Sequence, residues 1–221
     1  PVVQVQDAGG NIVTSFSGSV TLAIGANPSA GTLSGTATVN VTNGVATFSG
    51  LSINTAGNGY TLVATSGALT SATSNPFNIT VGPVASLVFN PSPSNSSAGV
   101  VFPTQPVVEL RDAGGNLVST ATDNVVLSIA SGPGTTINGT TTVAAVTGIA
   151  IFSGLSIDTT GTYTLRATVG SVNGTSASFI IGPAAASALR FQVQPSNTQA
   201  DALISPAVKV EAIDTFGNVV T

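Results

Sequence analysis

Apolar and polar residues alternate along most of the chain, and Gly-rich turns interrupt the alternation at short intervals. In the opening stretch, Val3 and Val5 alternate with Gln4 and Gln6. This period of two is typical of a strand with one buried and one solvated face. No stretch shows the 3.6-residue period of an amphipathic helix. The sequence therefore predicts an all-β protein.

The pattern repeats with a period of about one small domain. QDAGGN at residues 6–11 returns as RDAGGN at 111–116, an offset of 105 (111 − 6), and IDTFGN at 213–218 opens a third copy. FSGLSIN at 48–54 returns as FSGLSID at 152–158. Such a period indicates a tandem array. We predict a repeat lacking its first strand at 1–82, a complete repeat at 83–182, and the opening strands of a third at 183–221.

The matched positions predict the core and the turns. We expect the strand residues Val20, Leu22 and Ile24, and their equivalents Val125, Leu127 and Ile129, to point inward, as do Val108 and Leu110 in the second copy and Val210 and Ala212 in the third. Among aromatic residues, Phe48, Phe77, Phe152 and Phe179 fall on core positions, whereas Phe16, Phe102 and Phe216 are expected at domain junctions or subunit contacts. The shared turn glycines Gly10, Gly115 and Gly217 predict positive φ angles.

A further local signature concerns the two tyrosines. Tyr163 follows Asp158 and Gly161, and Tyr60 stands in the matching place of the first copy. This spacing is similar to a tyrosine corner, in which the phenol hydrogen-bonds back to the preceding backbone. Both tyrosines are therefore predicted to stabilise the fold rather than to contact a ligand.

Composition narrows the classes of function. Charged residues make up 5% of the chain, against about 25% in ordinary soluble domains. The net charge is −4 and no basic patch exists, which argues against a nucleic-acid partner. No run of about 18 apolar residues exists, so no membrane span is predicted in this segment. The absence of Cys excludes disulfides and thiolate metal sites.

Both ends of the chain suggest a longer protein. The sequence starts at Pro1, contains no Met and stops inside a repeat, so we expect a mature product or a piece of something larger. One interpretation of the ends is strand donation, in which the C-terminal strands complete the open domain of the next subunit. Against it, residues 208–221 duplicate residues 1–14 and offer a strand that the recipient already has.

Catalysis is not expected, because the chain has no His, no Cys and a single Lys, and a Ser or Thr nucleophile needs an activating base. Calcium is the one cofactor hypothesis, because hard cations prefer several oxygen ligands. The candidate ligands are the acid and amide of each repeated turn: Asp7 and Asn11, Asp112 and Asn116, Asp214 and Asn218. The simpler interpretation is that each Asp binds the amides of its own turn.

N-linked glycans are a second candidate modification. Five Asn-x-Ser/Thr sequons occur, at Asn40, Asn78, Asn95, Asn138 and Asn173. Glycans would supply solubility that the low charge does not. A chain this rich in Asn, Ser and Thr also produces sequons by chance, and an intact-mass measurement on native material distinguishes the two.

The succession of DAGGN, NGVATFSGLSI and the YTL corner resembles bacterial immunoglobulin-like repeats, the invasin/intimin-like modules of large surface proteins. The resemblance implies tandem immunoglobulin-like β-sandwiches of about seven strands each, an extracellular or cell-surface location, and no catalytic residues. It implies a stalk, surface coat or filament, with copies of the chain or adjacent repeats as partners. The alternative is an adhesin-type binding module for a glycan or a host or cell-surface protein.

Overall fold

The computed structural model describes all 221 residues and contains strands and turns but no helix. The chain divides into two compact units, residues 1–83 with 111–118 (unit 1), and residues 84–110 with 119–221 (unit 2). The units differ from the sequence repeats because the turn segment 111–118 packs with residues 1–83. The boundaries near 82 and 182 stay a prediction about the repeats. No helix is long and apolar enough to cross a membrane.

Unit 1 is built from ten short strands arranged in small antiparallel sheets. The largest sheet has the order β4-β2-β8-β9, and the other pairs are β1 with β5, β3 with β6, and β7 with β10. The strands are β1 (Val2–Gln4), β2 (Ser19–Ile24), β3 (Leu33–Ser34), β4 (Thr38–Asn40), β5 (Val45–Thr47), β6 (Ser52–Ile53), β7 (Gly57–Tyr60), β8 (Leu62–Thr65), β9 (Ala72–Thr73) and β10 (Phe77–Ile79).

The remaining strands begin at residue 86 and form a fuller version of the same arrangement. One sheet has the order β11-β13-β16, and a second has the order β12-β19-β17-β14-β15 with β18 paired to β17. A separate hairpin joins β20 and β21. The strands are β11 (Ser86–Phe89), β12 (Ser96–Ser97), β13 (Val107–Arg111), β14 (Asn124–Ser131), β15 (Thr142–Ala144), β16 (Ile149–Ile151), β17 (Gly161–Val169), β18 (Val172–Thr175), β19 (Phe179–Gly182), β20 (Ala188–Val193) and β21 (Lys209–Ile213).

The cores lie between sheets, as in a sandwich. In unit 1, Val5 next to β1 and Ala46 of β5 form one cluster with Val20 of β2 and Leu62 of β8. In unit 2, the alternating residues of β14 and β17 that face inward are buried. Apolar surface removed from water stabilises such a layer by about 25 cal/mol per Å². The predicted all-β, immunoglobulin-like fold class is confirmed.

The aromatic predictions are confirmed only in part. Phe48, Phe152 and Phe179 are buried, and Phe77 is half-buried against the unit 1 core. The placement of Phe102 at a junction is wrong, because its ring is 2% exposed and meets Phe179 edge-on at 5.3 Å between ring centroids. Phe16 likewise packs against the unit 1 core.

The third copy departs from the predicted inward pattern. Val210 is 51% exposed, because β21 pairs only with β20 and no second sheet covers that face. Within the same segment, Leu189 and Leu203 also remain largely exposed. The hairpin therefore has the strand pairing of a repeat without the core of one.

The tyrosine corners are confirmed. The Tyr60 hydroxyl donates a hydrogen bond to the Thr55 carbonyl at 2.9 Å, and the Tyr163 hydroxyl donates to the Thr159 carbonyl at 2.9 Å. Tyr163 also accepts a bond from the Gly134 amide at 2.9 Å. Both rings are fully buried. Each phenol thereby fixes the corner loop that precedes it, residues 54–56 in unit 1 and 158–160 in unit 2.

Candidate interaction site

The repeated Asp–Asn turn is held by its own hydrogen bonds. In the second copy, the Asp112 amide donates to the Asn116 carbonyl at 2.9 Å, and Gly115 adopts a φ of 85°. The carboxylate Oδ1 of Asp112 accepts bonds from the amides of Gly114 at 2.9 Å and Asn116 at 2.8 Å. The positive φ predicted for Gly10, Gly115 and Gly217 is confirmed in all three turns. An Asp that binds amides two and four residues on is the side-chain turn expected here.

In unit 2, the third-copy turn also contacts the corner loop of the second copy. The side-chain amide of Asn218 donates from Nδ2 to the Asp158 carbonyl at 2.8 Å. Its Oδ1 accepts a bond from the Thr160 amide at 3.1 Å. One side chain therefore binds a backbone carbonyl and the backbone N–H two residues further on.

The same contact occurs in unit 1. Asn116 donates from Nδ2 to the Asn54 carbonyl at 2.9 Å, and its Oδ1 accepts from the Ala56 amide at 2.9 Å. The corner residues differ, being Asn54–Ala56 in one case and Asp158–Thr160 in the other, but the backbone atoms bound are equivalent. Because only backbone is bound, the contact depends on the shape of the corner rather than on its side chains.

The Asp of each docked turn makes a further bond to the preceding inter-repeat linker. Asp112 Oδ2 accepts from the Gly82 amide at 2.9 Å, and Asp214 Oδ2 accepts from the Ala184 amide at 3.0 Å. Asp112 is 5% exposed and Asp214 is 2% exposed. A buried carboxylate requires partners of this kind, because burying an unpaired charge is costly.

The first turn has the same internal geometry without those outer contacts. Asp7 Oδ1 accepts from the amides of Gly9 and Asn11 at 2.9 Å each, and Gly10 has a φ of 85°. Asp7 and Asn11 are both exposed. Asn11 Nδ2 contacts only the Asp7 carboxylate, at 3.3 and 3.2 Å, and its Oδ1 accepts no bond.

These contacts lower the pKa of all three Asp side chains from their ordinary value of 3.8. For Asp7, the bonds donated by the Asn11 backbone and side chain lower the pKa. Burial alone would raise the pKa of Asp112, but bonds from Gly82, Asn116 and Gly114 outweigh it. Burial likewise opposes the bonds from Asn218 and Ala184 that lower the pKa of Asp214.

The lowered pKa values predict a dependence of stability on acid. A carboxyl group with a lower pKa in the folded state stabilises the fold above its unfolded pKa, near 4, and this stabilisation is lost as pH falls through the folded pKa. We expect the free energy of unfolding to be level from pH 7 to about 5 and to decrease below about 4. Denaturant unfolding between pH 7 and 2 measures it. Asp112→Asn, which removes one titrating group, should flatten the decrease, and an unchanged slope would contradict the assignment.

The calcium hypothesis has to compete with these hydrogen bonds. The carboxylate oxygens of Asp112 and Asp214 each accept at least two donated N–H bonds, which a cation would have to displace. The structure contains no group of three or more acidic residues, His or Cys suited to a metal ion. Calcium binding at the three Asp–Asn pairs stays a prediction, and melting with and without a chelator tests it.

The five sequons lie in different surroundings. Four of their Asn side chains are exposed and one is half-buried; the exposed ones are Asn40, Asn78, Asn95 and Asn173. Asn138 is half-buried and donates from Nδ2 to the Asp158 carboxylate at 2.8 Å. A glycan on Asn138 would remove a donor hydrogen from that nitrogen, so the exposed four are the better acceptors. Glycan occupancy stays a prediction.

Unit 1 also has an open apolar groove of about 320 Å³. Leu51, Ile53, Phe77 and Ile79 contribute to its lining. The equivalent residues of unit 2 are Leu155, Ile157, Phe179 and Ile181, and all are buried. Phe102 and the chain around it account for the difference, because Phe102 packs on Phe179 and its amide donates to the Leu155 carbonyl at 2.9 Å.

The sequence did not reveal what the turn Asn does. Its repetition at residues 11, 116 and 218 was visible. The backbone it binds lies 62 residues away for Asn116 and 60 for Asn218, and such a separation is not readable from local spacing. Phe216, which the sequence predicted at a domain junction or subunit contact, belongs to the third-copy turn. Its ring lies against Gly99.

No family model and no curated protein matches the chain. Among solved structures, it is similar to domains 4–9 of the surface layer protein SbsC, at 16% identity over 99% of this chain and 31% of that chain, with a TM-score of 0.35. It is similar to the D0–D1 domain of intimin, at 15% identity over 82% of this chain and 88% of that chain, with a TM-score of 0.33.

A third similar structure is a family 2 glycosyl hydrolase from Bacteroides cellulosilyticus, at 16% identity over 76% of this chain and 22% of that chain, with a TM-score of 0.36. The chain thus spans less than a third of the length of the surface-layer and hydrolase structures it matches. Similarities of this size assign no function to the chain.

Proposed function

We propose that the chain is a structural repeat segment of an extracellular bacterial surface protein, which forms a stalk, surface coat or filament by the stacking of immunoglobulin-like domains. The observation that carries the proposal is the Asp–Asn turn, which binds the backbone of a corner loop in the same way in unit 1 and in unit 2. A contact that recurs with every repeat is what a stacked array requires.

The positions shared by the repeats also support an architectural role. They are turn glycines, inward aliphatic residues, corner tyrosines and the Asp–Asn pairs, which are determinants of the fold. The extracellular and bacterial parts of the proposal rest on the resemblance of the sequence pattern to bacterial immunoglobulin-like repeats. A chain that is rich in Ser, Thr and Asn and has only 5% charged residues suits a protein that packs densely with others, because few charges repel.

Lateral association needs an exposed strand, and β16 provides one. It lies at the edge of the order β11-β13-β16, and Ile151 on it is 67% exposed. Val146, which precedes this strand, is 70% exposed. Thr47 occupies the matching place in unit 1. An exposed edge with apolar side chains and no Lys favours pairing with another chain.

Sedimentation of the purified chain over a range of concentrations tests the association. We expect a concentration-dependent increase in size, which Ile151→Lys reduces and the matched substitution Thr47→Lys leaves largely unchanged. A chain that stays monomeric at high concentration contradicts self-association, and with it strand donation between copies. A monomer that binds a glycan or protein ligand saturably would instead identify an adhesin-type module.

A further inference from the structure

We propose that the exposed turn Asp7–Asn11 is a docking site for the corner loop of another immunoglobulin-like repeat, deepening the architectural role proposed above. Its ligand is a stretch of backbone, namely a carbonyl oxygen and the N–H two residues further on, held in the shape that a corner tyrosine imposes. Asn11 binds this backbone, and Asp7 receives the N–H of the linker that follows the same repeat.

The first line of support is the match between this turn and the two docked turns. The carbonyl of Asn11 accepts from the Asp7 amide at 2.9 Å, as the carbonyl of Asn116 accepts from Asp112. The φ angles of Gly10 and Gly115 are both 85°. The side chain of Asn11 is bound to the Asp7 carboxylate, as that of Asn116 is to Asp112. The turn is therefore formed in advance, and docking requires no rearrangement of it.

The second line of support is that acceptor oxygens of the first turn lack the partners that the same atoms have in the other two turns. Asn116 and Asn218 each use Oδ1 to accept a corner amide, while Asn11 Oδ1 accepts nothing. The linker amides of Gly82 and Ala184 bind Oδ2 of Asp112 and Asp214, while Oδ2 of Asp7 contacts only Asn11. The free acceptors are the same atoms that bind neighbouring backbone in the other two turns.

The closeness of the corner differs between the two docked turns. A Cβ at Gly114 would overlap the carbonyl oxygen of Asn54, whereas at the matching Gly9 it would meet only the tips of Asn11 and Asp7, at 3.1 and 3.3 Å. The docked third-copy turn has Phe216 at this position, so docking does not require glycine there.

The chain itself allows the first part of the test. In the full chain, Asn116→Ala should speed amide exchange at Ala56, and Asn218→Ala should do so at Thr160, by about three- to tenfold for the loss of one hydrogen bond. Asn11→Ala is the matched control, because it loses the same bonds within its turn but touches neither corner. Likewise, Gly114→Ala should expose the Ala56 amide, whereas Gly9→Ala should leave it unchanged.

A second protein, in which a repeat with its corner loop precedes Asn11, tests the docking site. In a tandem protein, residues 83–208 precede residues 2–221, because residues 2–14 match residues 209–221 at an offset of 207 (209 − 2) and can continue the third copy. Asn11 then follows a corner loop 158–160 and its linker. Thr162→Ser in the added repeat gives its peptides a distinct mass.

We expect the added Thr160 amide to be protected with Asn11 present and to exchange about three- to tenfold faster with Asn11→Ala. Exchange that is equally fast in the tandem protein and in the Asn11→Ala variant overturns the docking site. The readout concerns one molecule, so it is independent of whether the chain forms stalks, coats or filaments; failure of self-association overturns the proposed function and leaves this contact standing.

Discussion

Replacing Phe102 by alanine is expected to lower the free energy of unfolding of unit 2 by about 3–5 kcal/mol. The ring is 2% exposed, packs edge-on against Phe179, and lies on chain whose backbone binds Leu155. Removing the ring leaves a cavity beside Phe179, whose own ring is already held against Tyr163. The groove of unit 1 shows the same face of the sandwich without such a ring.

Amide hydrogen exchange along β17 measures this effect, because its buried amides exchange by opening of unit 2. The control is Ile204→Ala. Ile204 matches Phe102 in the third copy, at an offset of 102 (204 − 102). Asp201 and Gly99, which have the same offset (201 − 99), both have positive φ angles. Ile204 is 51% exposed, so its truncation should change stability by less than about 1 kcal/mol. Equal effects of the two substitutions would show that Phe102 does not close the core.

Replacing Gly139 by alanine is expected to destabilise unit 2 by about 3 kcal/mol, from a left-handed backbone and from overpacking. Gly139 has a φ of 98°, and a Cβ built there would lie 2.5 Å from the Gly154 carbonyl oxygen. Neither atom is the end of a flexible side chain, so the two backbone segments would have to separate. The matching Gly35 is equally crowded by Gly50 in unit 1.

Gly154→Ala provides the matched control within the same pair of segments. Gly154 also has a positive φ, of 69°, but a Cβ there meets nothing within 4 Å. Its substitution should therefore cost only the backbone term, about 1 kcal/mol. Thermal unfolding midpoints of the unsubstituted chain, Gly139→Ala and Gly154→Ala separate the cost of crowding from the cost of a positive φ angle. If Gly154→Ala proves as harmful as Gly139→Ala, the close approach of the two segments does not determine the cost.

Much of the fold was predictable because its determinants are local. Alternation places Val20 and Leu22 inside, the turn glycines require positive φ, and the spacing before Tyr60 and Tyr163 predicts the two corners. Each of these depends on a few neighbouring residues and on backbone geometry. The structure confirms them because tertiary packing and local preference agree at these positions.

The remaining features depend on partners that are distant in the chain. Phe102 follows a Gly-Val-Val stretch with no clear alternation, so nothing local shows that it reaches Phe179. Gly139 is crowded by a carbonyl 15 residues away (154 − 139), which identity alone does not reveal. Val210 has the pattern of a buried strand residue, yet it is exposed because its opposing sheet is absent from residues 183–221.

The candidate site depends both on local residues and on partners that are distant in the chain. The Asp–Asn turn was visible as a motif, and its internal hydrogen bonds follow from residue type. Its bonds to a corner about 60 residues earlier were not visible, since they arise from the packing of the turn segment. Residues 111–118 illustrate the point, because they belong to the second sequence repeat and pack within unit 1.

Electron micrographs of the native material show whether these repeats build an ordered assembly. We expect fibres, sheets or an ordered coat with a spacing that corresponds to one repeat of about 100 residues. Dispersed particles without order, accompanied by saturable binding of a glycan or protein, would contradict the architectural role and favour a binding module.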